Sequence, residues 1–402
     1  MTNALHPPAT LPDYLQSLIE DQSLPGLSYA VLRGGQRVDS GCFGWADMEA
    51  QTPLRSDSIF RAFSNTKLIT SCAVLMMMER GHFGLDDPIS QWIPELGQRQ
   101  VLRPGATSMG DTEPAQSEVT IRHLLSHTAG FSHAVFDAGS LLHTAYHVRG
   151  VRRPDTTLAE LMALLAPLPL QFHPGTAWDY AIGCDILARL IEVISGQRYG
   201  DFLLAEVLQP LGMLDTGYLL RKDQHARFTA LYGPANAARP MSRGFVRLHD
   251  VPHPGAFERA VPRQSGAGGL FTTQDDMLRL LGALLPGGPR WLQPETVAQM
   301  MSDQLPAHLN VRFNTLGNKP NQGFGLAGAV TRQSSQIDGI DSAGEMQWGG
   351  LAGTHWWIAP NAAGGQGLAG VVMTHRHMAF WHPFWFDFKR RMHAAYAVQA
   401  TS

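Results

Sequence analysis

Cysteine is scarce in this chain: Cys42, Cys72 and Cys184 are the only three in 402 residues. They share no metal-type or redox-type spacing, which argues against a disulfide framework or a cysteine zinc site and fits reduced thiols in a cytoplasm. Charge is also sparse. Charged residues make up 16%, and 31 Lys plus Arg against 34 Asp plus Glu leave a formal charge of −3. Without a basic excess there is no electrostatic footprint for a phosphate backbone, so nucleic acid is not an expected partner. No apolar run approaches the ~18 residues of a membrane helix. Met1 to Gln22 has no basic segment leading into an apolar one, so neither a membrane partner nor export is expected. Internal repeats and low-complexity tracts are absent as well.

What the chain does have is 44% hydrophobic residues, enough to bury a large core. At roughly 100–200 residues per domain, the length allows two or three domains or one large interleaved unit. Leu11 to Asp21 has helical periodicity. Leu27 to Arg33 and Arg37 to Trp45 read as a hairpin around Gly34-Gly35, and Ile59 to Phe63 is a short apolar run. Asn65 to Arg80 reads as a helix that is apolar nearly all round, hence buried, and ended by Gly81. The middle is helical and loop-like: Ile121 to Ser126, Leu158 to Leu165, Ala181 to Ser195, Tyr199 to Leu208, Thr273 to Leu285 and Pro294 to Met301. Strand signals return at Phe324 to Thr331, Glu345 to Leu351, Thr354 to Ile358 and Leu368 to His375. A last helix spans Pro383 to Val398.

Strands at both ends with helices between them predict an α+β fold. One antiparallel sheet would be built from both chain ends and flanked by helices, with a largely helical inserted domain. The expected layout is a single catalytic unit over 1–402. Residues 1–63 plus 310–402 would form an α/β subdomain and 64–309 a mainly helical one, with the active site in the crevice between them.

Four lysines occur in the chain, and only Lys67 has a serine three positions before it, in Ser64-Asn65-Thr66-Lys67. At that spacing near a helix start the two side chains share one face. A serine hydroxyl is a weak nucleophile unless a neighbouring base takes its proton, and a buried amine kept partly neutral can be that base. The helix start also offers backbone N–H groups to a developing oxyanion. A capping serine beside a snorkelling lysine is the plainer reading of the tetrapeptide alone. Tyr180, in Trp178-Asp179-Tyr180-Ala181-Ile182, follows a turn and opens a helix, where its phenol can face a cleft and relay a proton. A core tyrosine is its plainer reading. Glu345 to Gly353, EMQWGGLAG, is a strand whose paired glycines allow close approach of a ligand, or mark a bend.

Other patterns fail. Gly323 to Gly328 matches G-x-G-x-x-G but leads into strand-like residues rather than a helix, so no dinucleotide site is expected. His123 with His127 and His143 with His147 have i, i+4 spacing without a nearby glutamate, so no metal is expected. No G-x-S-x-G elbow occurs, against an α/β-hydrolase triad. Trp356, Trp357, Trp381 and Trp385 read as core or pocket-wall residues.

Taken in order, Ser64-x-x-Lys67, Tyr180 and the late Gly-Gly strand resemble the serine β-lactamase and penicillin-binding-protein superfamily, on its class C side. Leu124 to Gly130, Pro210 to Met213, Gly268 to Thr273 and Asp275-Asp276 add to the likeness, which runs from about Leu11 to Tyr396. Two departures matter. The third position of the tyrosine motif is Ile182 rather than asparagine, and a Lys-Thr-Gly strand is replaced by Trp348-Gly349-Gly350. The Trp-Gly-Gly form is similar to family VIII carboxylesterases. The resemblance implies Ser64 as nucleophile, Lys67 and Tyr180 as the proton-transfer pair, and an oxyanion hole from the N–H groups of Ser64 and Leu351. It implies no cofactor and a small-molecule ester as partner; it leaves oligomeric state open. Ile182 and Trp348 lack the amide and cation that suit a β-lactam and make the cleft more apolar, favouring neutral esters.

Overall fold

The computed structural model describes residues 10–133, 135–136, 138–313, 317–335 and 342–396. The last two residues of the helix expected to end at Val398, and the first nine of the chain, lie outside them. Among the described residues, eight strands form one antiparallel sheet drawn from both chain ends. They are β1 (Gly26–Arg33), β2 (Gln36–Asp47), β3 (Thr52–Pro53), β4 (Gln322–Phe324), β5 (Ala329–Thr331), β6 (Met346–Gly349), β7 (His355–Ala359) and β8 (Leu368–Thr374). Their spatial order is β4-β5-β6-β7-β8-β1-β2-β3. The two ends of the chain meet where β1 pairs with β8, Leu27 opposite Thr374 and Arg33 opposite Leu368.

Period-2 alternation decides which side chains go to which face. Leu27, Tyr29 and Val31 of β1, Trp357 of β7 and Leu368 and Val372 of β8 share one core. Helices α1 (Leu11–Glu20) and α5 (Phe384–Tyr396) cover it through Tyr14, Leu15, Leu18, Phe384, Trp385 and Phe388. The intervening Ala30 and Leu32, Trp356 and Ile358, and Ala369, Val371 and Met373 point into the larger core on the opposite face. Helix α2 (Thr66–Glu79) runs through that core. Every residue from Thr66 to Met77 is buried, as an all-round apolar helix requires. Helix α3 (Gly183–Ser195) packs against α2 and ends at Gly196, whose φ of 70° is the left-handed cap that glycine adopts without strain.

Two expectations are corrected. Phe324 to Thr331 is not one strand but the hairpin β4–β5, closed by Gly325 N–H donating to Gly328 C=O at 2.8 Å. The Gly-rich run that mimics a dinucleotide fingerprint is this turn. Helix α4 (Gln274–Ala283), expected in the helical portion, packs instead on β1 and β8. Its buried Met277, Leu278, Leu280 and Leu281 form an apolar face that covers the sheet, so the helical insertion stops short of residue 309. Among the described residues no helix is long and apolar enough to cross a membrane.

Candidate active site

Ser64 lies in a single 3-10 turn, Phe63–Asn65, that runs into α2. Phe63 before it has φ of 45°, a conformation that costs a non-glycine residue of order 1 kcal/mol. Ser64 lines a cavity of about 390 Å³. Lys67 is one turn further, on the same face, and its side chain is 2% exposed. Its Nζ donates to Ala267 C=O at 2.7 Å and to Ser64 Oγ at 3.4 Å, and sits 4.6 Å from the centre of the Tyr180 ring.

Tyr180 reaches the serine from the loop before α3. Its Oη donates to Ser64 Oγ at 2.7 Å. Backbone pairing fixes this loop: Asp179 N–H donates to His127 C=O, and Ala181 N–H donates to His127 Nδ1 at 3.2 Å. An imidazole accepts at Nδ1 only when neutral there. Burial, with Lys67 adding to it, holds His127 well below the ordinary histidine value. So His127 shapes the tyrosine loop, and His123 Nδ1 accepts from Thr120 N–H at a helix start. Among the described residues no cluster of three or more His, Cys, Asp or Glu could hold a metal ion.

The Trp348-Gly349-Gly350 segment arrives at the end of β6. A Cβ on Gly350 would lie 2.5 Å from Ala62 C=O and 3.1 Å from Phe63 Cβ. Only glycine lets this strand end close against the backbone of the turn that carries Ser64. Gly350 N–H is committed to Thr354 C=O at 2.6 Å. Leu351, the next residue, borders the cavity together with Ser64, Trp348, Gly349 and Ile182. Trp348 does more than add apolar surface: its indole N–H donates to Tyr180 Oη at 3.4 Å. The phenol oxygen therefore stands between the serine hydroxyl and an N–H donor.

Sequence reasoning missed several residues that the fold brings here. Asp185, 6% exposed, accepts at Oδ1 from Ser265 Oγ at 2.7 Å and from Ala267 N–H at 3.1 Å. The Ala267 carbonyl so fixed is the one that holds Lys67. A carboxylate on the apolar face of α3, among buried Ile186, Leu187, Leu190 and Ile191, was the available signal. The His133 ring stacks on Tyr180, centroids 5.0 Å apart and planes 11° from parallel, and Phe136 and Phe313 complete the aromatic surround.

Ser64, Lys67 and Tyr180 thus meet beside one cavity, whose wall includes Ser64 and Tyr180. Among known proteins, the model of the Beta-lactamase family matches residues 11–379, and the chain belongs to that family. It is an enzyme, a serine hydrolase of this fold. The chain is 34% identical over 366 residues to "Esterase EstB" of Burkholderia gladioli, covering 87% of this chain and 86% of that one. It is 29% identical to "Acyltransferase calJ" of Penicillium decumbens over 76% of this chain and 74% of that one. A solved structure of "EstCE1, a hydrolase with promiscuous acyltransferase activity" superposes with a TM-score of 0.77 at 26% identity, covering 94% and 95% of the two chains.

Proposed function

We propose that this protein is a serine carboxylesterase, similar to family VIII esterases, that hydrolyses short to medium neutral esters. The observation that carries the reading is the 2.7 Å contact between Ser64 Oγ and Tyr180 Oη, with Lys67 Nζ 3.4 Å from the same oxygen, in the wall of an aromatic-lined cavity. Ser64 Oγ attacks the ester carbonyl carbon as its proton passes to the Tyr180 and Lys67 pair. The N–H groups of Ser64 and Leu351 take the oxyanion. The C–O bond to the alcohol breaks, and the alcohol leaves with the proton. Water, losing a proton to the same pair, attacks the acyl-enzyme and releases the acid and Ser64. Tyr180 and Lys67 both stand within reach of Ser64 Oγ, so the pair serves as the base. The sheet portion and the helical portion work as one catalytic unit, a reading supported by cavity walls drawn from both. Three free thiols support a cytoplasmic setting.

The substrate class rests on Ile182 and Trp348. A β-lactam brings a carboxylate beside its scissile amide, and a carboxylate left unpartnered against apolar side chains costs several kcal/mol. The test compares kcat/KM for p-nitrophenyl butyrate and nitrocefin on one preparation. The ester is expected to be the far better substrate, and equal or higher efficiency on nitrocefin would refute the esterase reading. Acyl transfer is the second reading, favoured by the names of two relatives: a competing alcohol that diverts acyl groups into a new ester would establish it.

A further inference from the structure

The cavity wall is not uniformly apolar. Trp348, Phe313, Phe380 and Trp381 touch one another and form an aromatic part without a charged side chain. Another part comes from the loops around residues 151–154 and 261–265 and carries two guanidinium groups, Arg152 and Arg263. Arg263 Nη1 donates to Val151 C=O at 2.6 Å, the carbonyl just before Arg152, and Nη2 donates to Thr156 Oγ1. Its Nε is buried with no hydrogen-bond partner. Arg152 Nη1 donates to His133 C=O at 3.1 Å and lies 3.4 Å from His133 Nδ1, on the ring that stacks against Tyr180. Among the described residues neither guanidinium has a carboxylate within ion-pair distance. The only carboxylate in the described wall is Asp185, whose Oδ1 is already held by Ser265 and Ala267.

Two arginines therefore line the same cavity; Asp185 acts on both and Asp155 and Glu160 on Arg263, none of them at ion-pair distance. Like charges placed together at a cavity without a salt-bridged carboxylate favour an anion there. The planar fork of arginine suits a carboxylate. Resting on the esterase reading, and keeping its neutral acyl group but replacing its neutral alcohol by an anionic one, we infer that Arg152 and Arg263 form a subsite for a carboxylate on the alcohol portion of the ester. The neutral acyl chain takes the aromatic part of the wall, beside Trp348, and the anionic alcohol faces the arginines.

The probes are 4-butanoyloxybenzoate and its neutral counterpart 4-butanoyloxybenzamide, followed by release of the phenol. The amide has the better leaving group, so reactivity alone favours it. The benzoate is expected to be preferred by at least ~10-fold in kcat/KM, mainly through KM, as one charge-assisted pair provides. The preference should shrink as salt is raised. In Arg152→Gln and in Arg263→Gln the benzoate-to-amide ratio should fall toward one. That ratio is internal to each preparation, and Arg152 is exposed, so its variant remains informative if loss of the Arg263 contacts impairs folding. Equal efficiency on the two probes, or a benzoate preference that survives in a folded Arg152 variant, overturns the subsite while leaving the esterase intact. Failure to cleave either probe or p-nitrophenyl butyrate removes the esterase reading itself.

Discussion

Ser64, Lys67 and Tyr180 meet through three oxygens and nitrogens within hydrogen-bond reach, and each has a separable effect. Ser64→Ala should abolish ester hydrolysis while the protein stays folded, because Ser64 is only half-buried and the proposed acyl-enzyme needs its hydroxyl. Tyr180→Phe keeps the ring that packs against His133 and Trp348 but removes the oxygen lying 2.7 Å from the serine. It should lower kcat by at least ~10²-fold, the lower end for a general acid–base group, and Lys67→Ala should do the same. Steady-state kinetics with p-nitrophenyl butyrate check all three, alongside thermal unfolding. Near-wild-type turnover in Tyr180→Phe or Lys67→Ala removes that residue from the proton path.

The strand β6 that carries Trp348 is held from behind by α5 through a buried ionic group. Glu345, just before β6, accepts from Lys389 Nζ at 2.7 Å, with both side chains 0% exposed, and its other oxygen lies 2.6 Å from His393 Nε2. Burial pushes the Glu345 carboxyl up, but Lys389 and His393 together outweigh it and hold it below its ordinary value. Lys389 also donates to Gln347 at 3.2 Å, so α5 grips the strand at two successive inward positions. Removing one partner leaves an uncompensated buried charge, whereas replacing both with apolar groups does not. Lys389→Met should therefore destabilise by about 3–5 kcal/mol. The double variant Glu345→Leu with Lys389→Met should recover much of that loss. Urea unfolding with unchanged slope is the measurement. A double variant no more stable than Lys389→Met would refute the ionic account.

Across the whole molecule, several histidines are folded into places that disfavour the charged, doubly protonated ring. Burial pushes His355 and His375 down to about 3, and His382 to about 4; Lys389, Arg61 and Arg376 respectively push the same way. The unfolded chain binds protons at these rings below about pH 6.5, while the folded chain does not until far lower. Stability from this source is complete at neutral pH and is lost as pH falls from about 6.5 toward 3 or 4. Each fully buried ring contributes a slope on the order of 1 kcal/mol per pH unit across that window. The urea midpoint should be clearly lower at pH 5 than at pH 7.5. A midpoint that rises on acidification would show that these rings take up protons in the folded state.

Much of the site is local in sequence, and that part is legible without a structure. Ser64 and Lys67 share a face because helix geometry brings i and i+3 together, and the apolar α2 that follows buries the amine. Alternation in β1, β7 and β8 sorts their side chains between two cores, so a sheet from both chain ends follows from pattern. Gly350 reads as a close approach before the partner, the turn at Ala62 and Phe63, is known. Other features arise only when distant loops are packed together. His133 reaches Tyr180, Asp185 reaches Ala267, and Arg152 and Arg263 share one cavity across contacts far apart in the chain. No period or spacing encodes these. The side of the sheet that α4 covers was likewise undetermined, because an amphipathic helix specifies an apolar face but not which apolar surface it meets. Residue chemistry and local periodicity determined that Ser64 and Lys67 share one helix face and that both chain ends form the sheet. Tertiary packing alone decided how Tyr180 is aimed, what holds Lys67, and where the cavity places its positive charge.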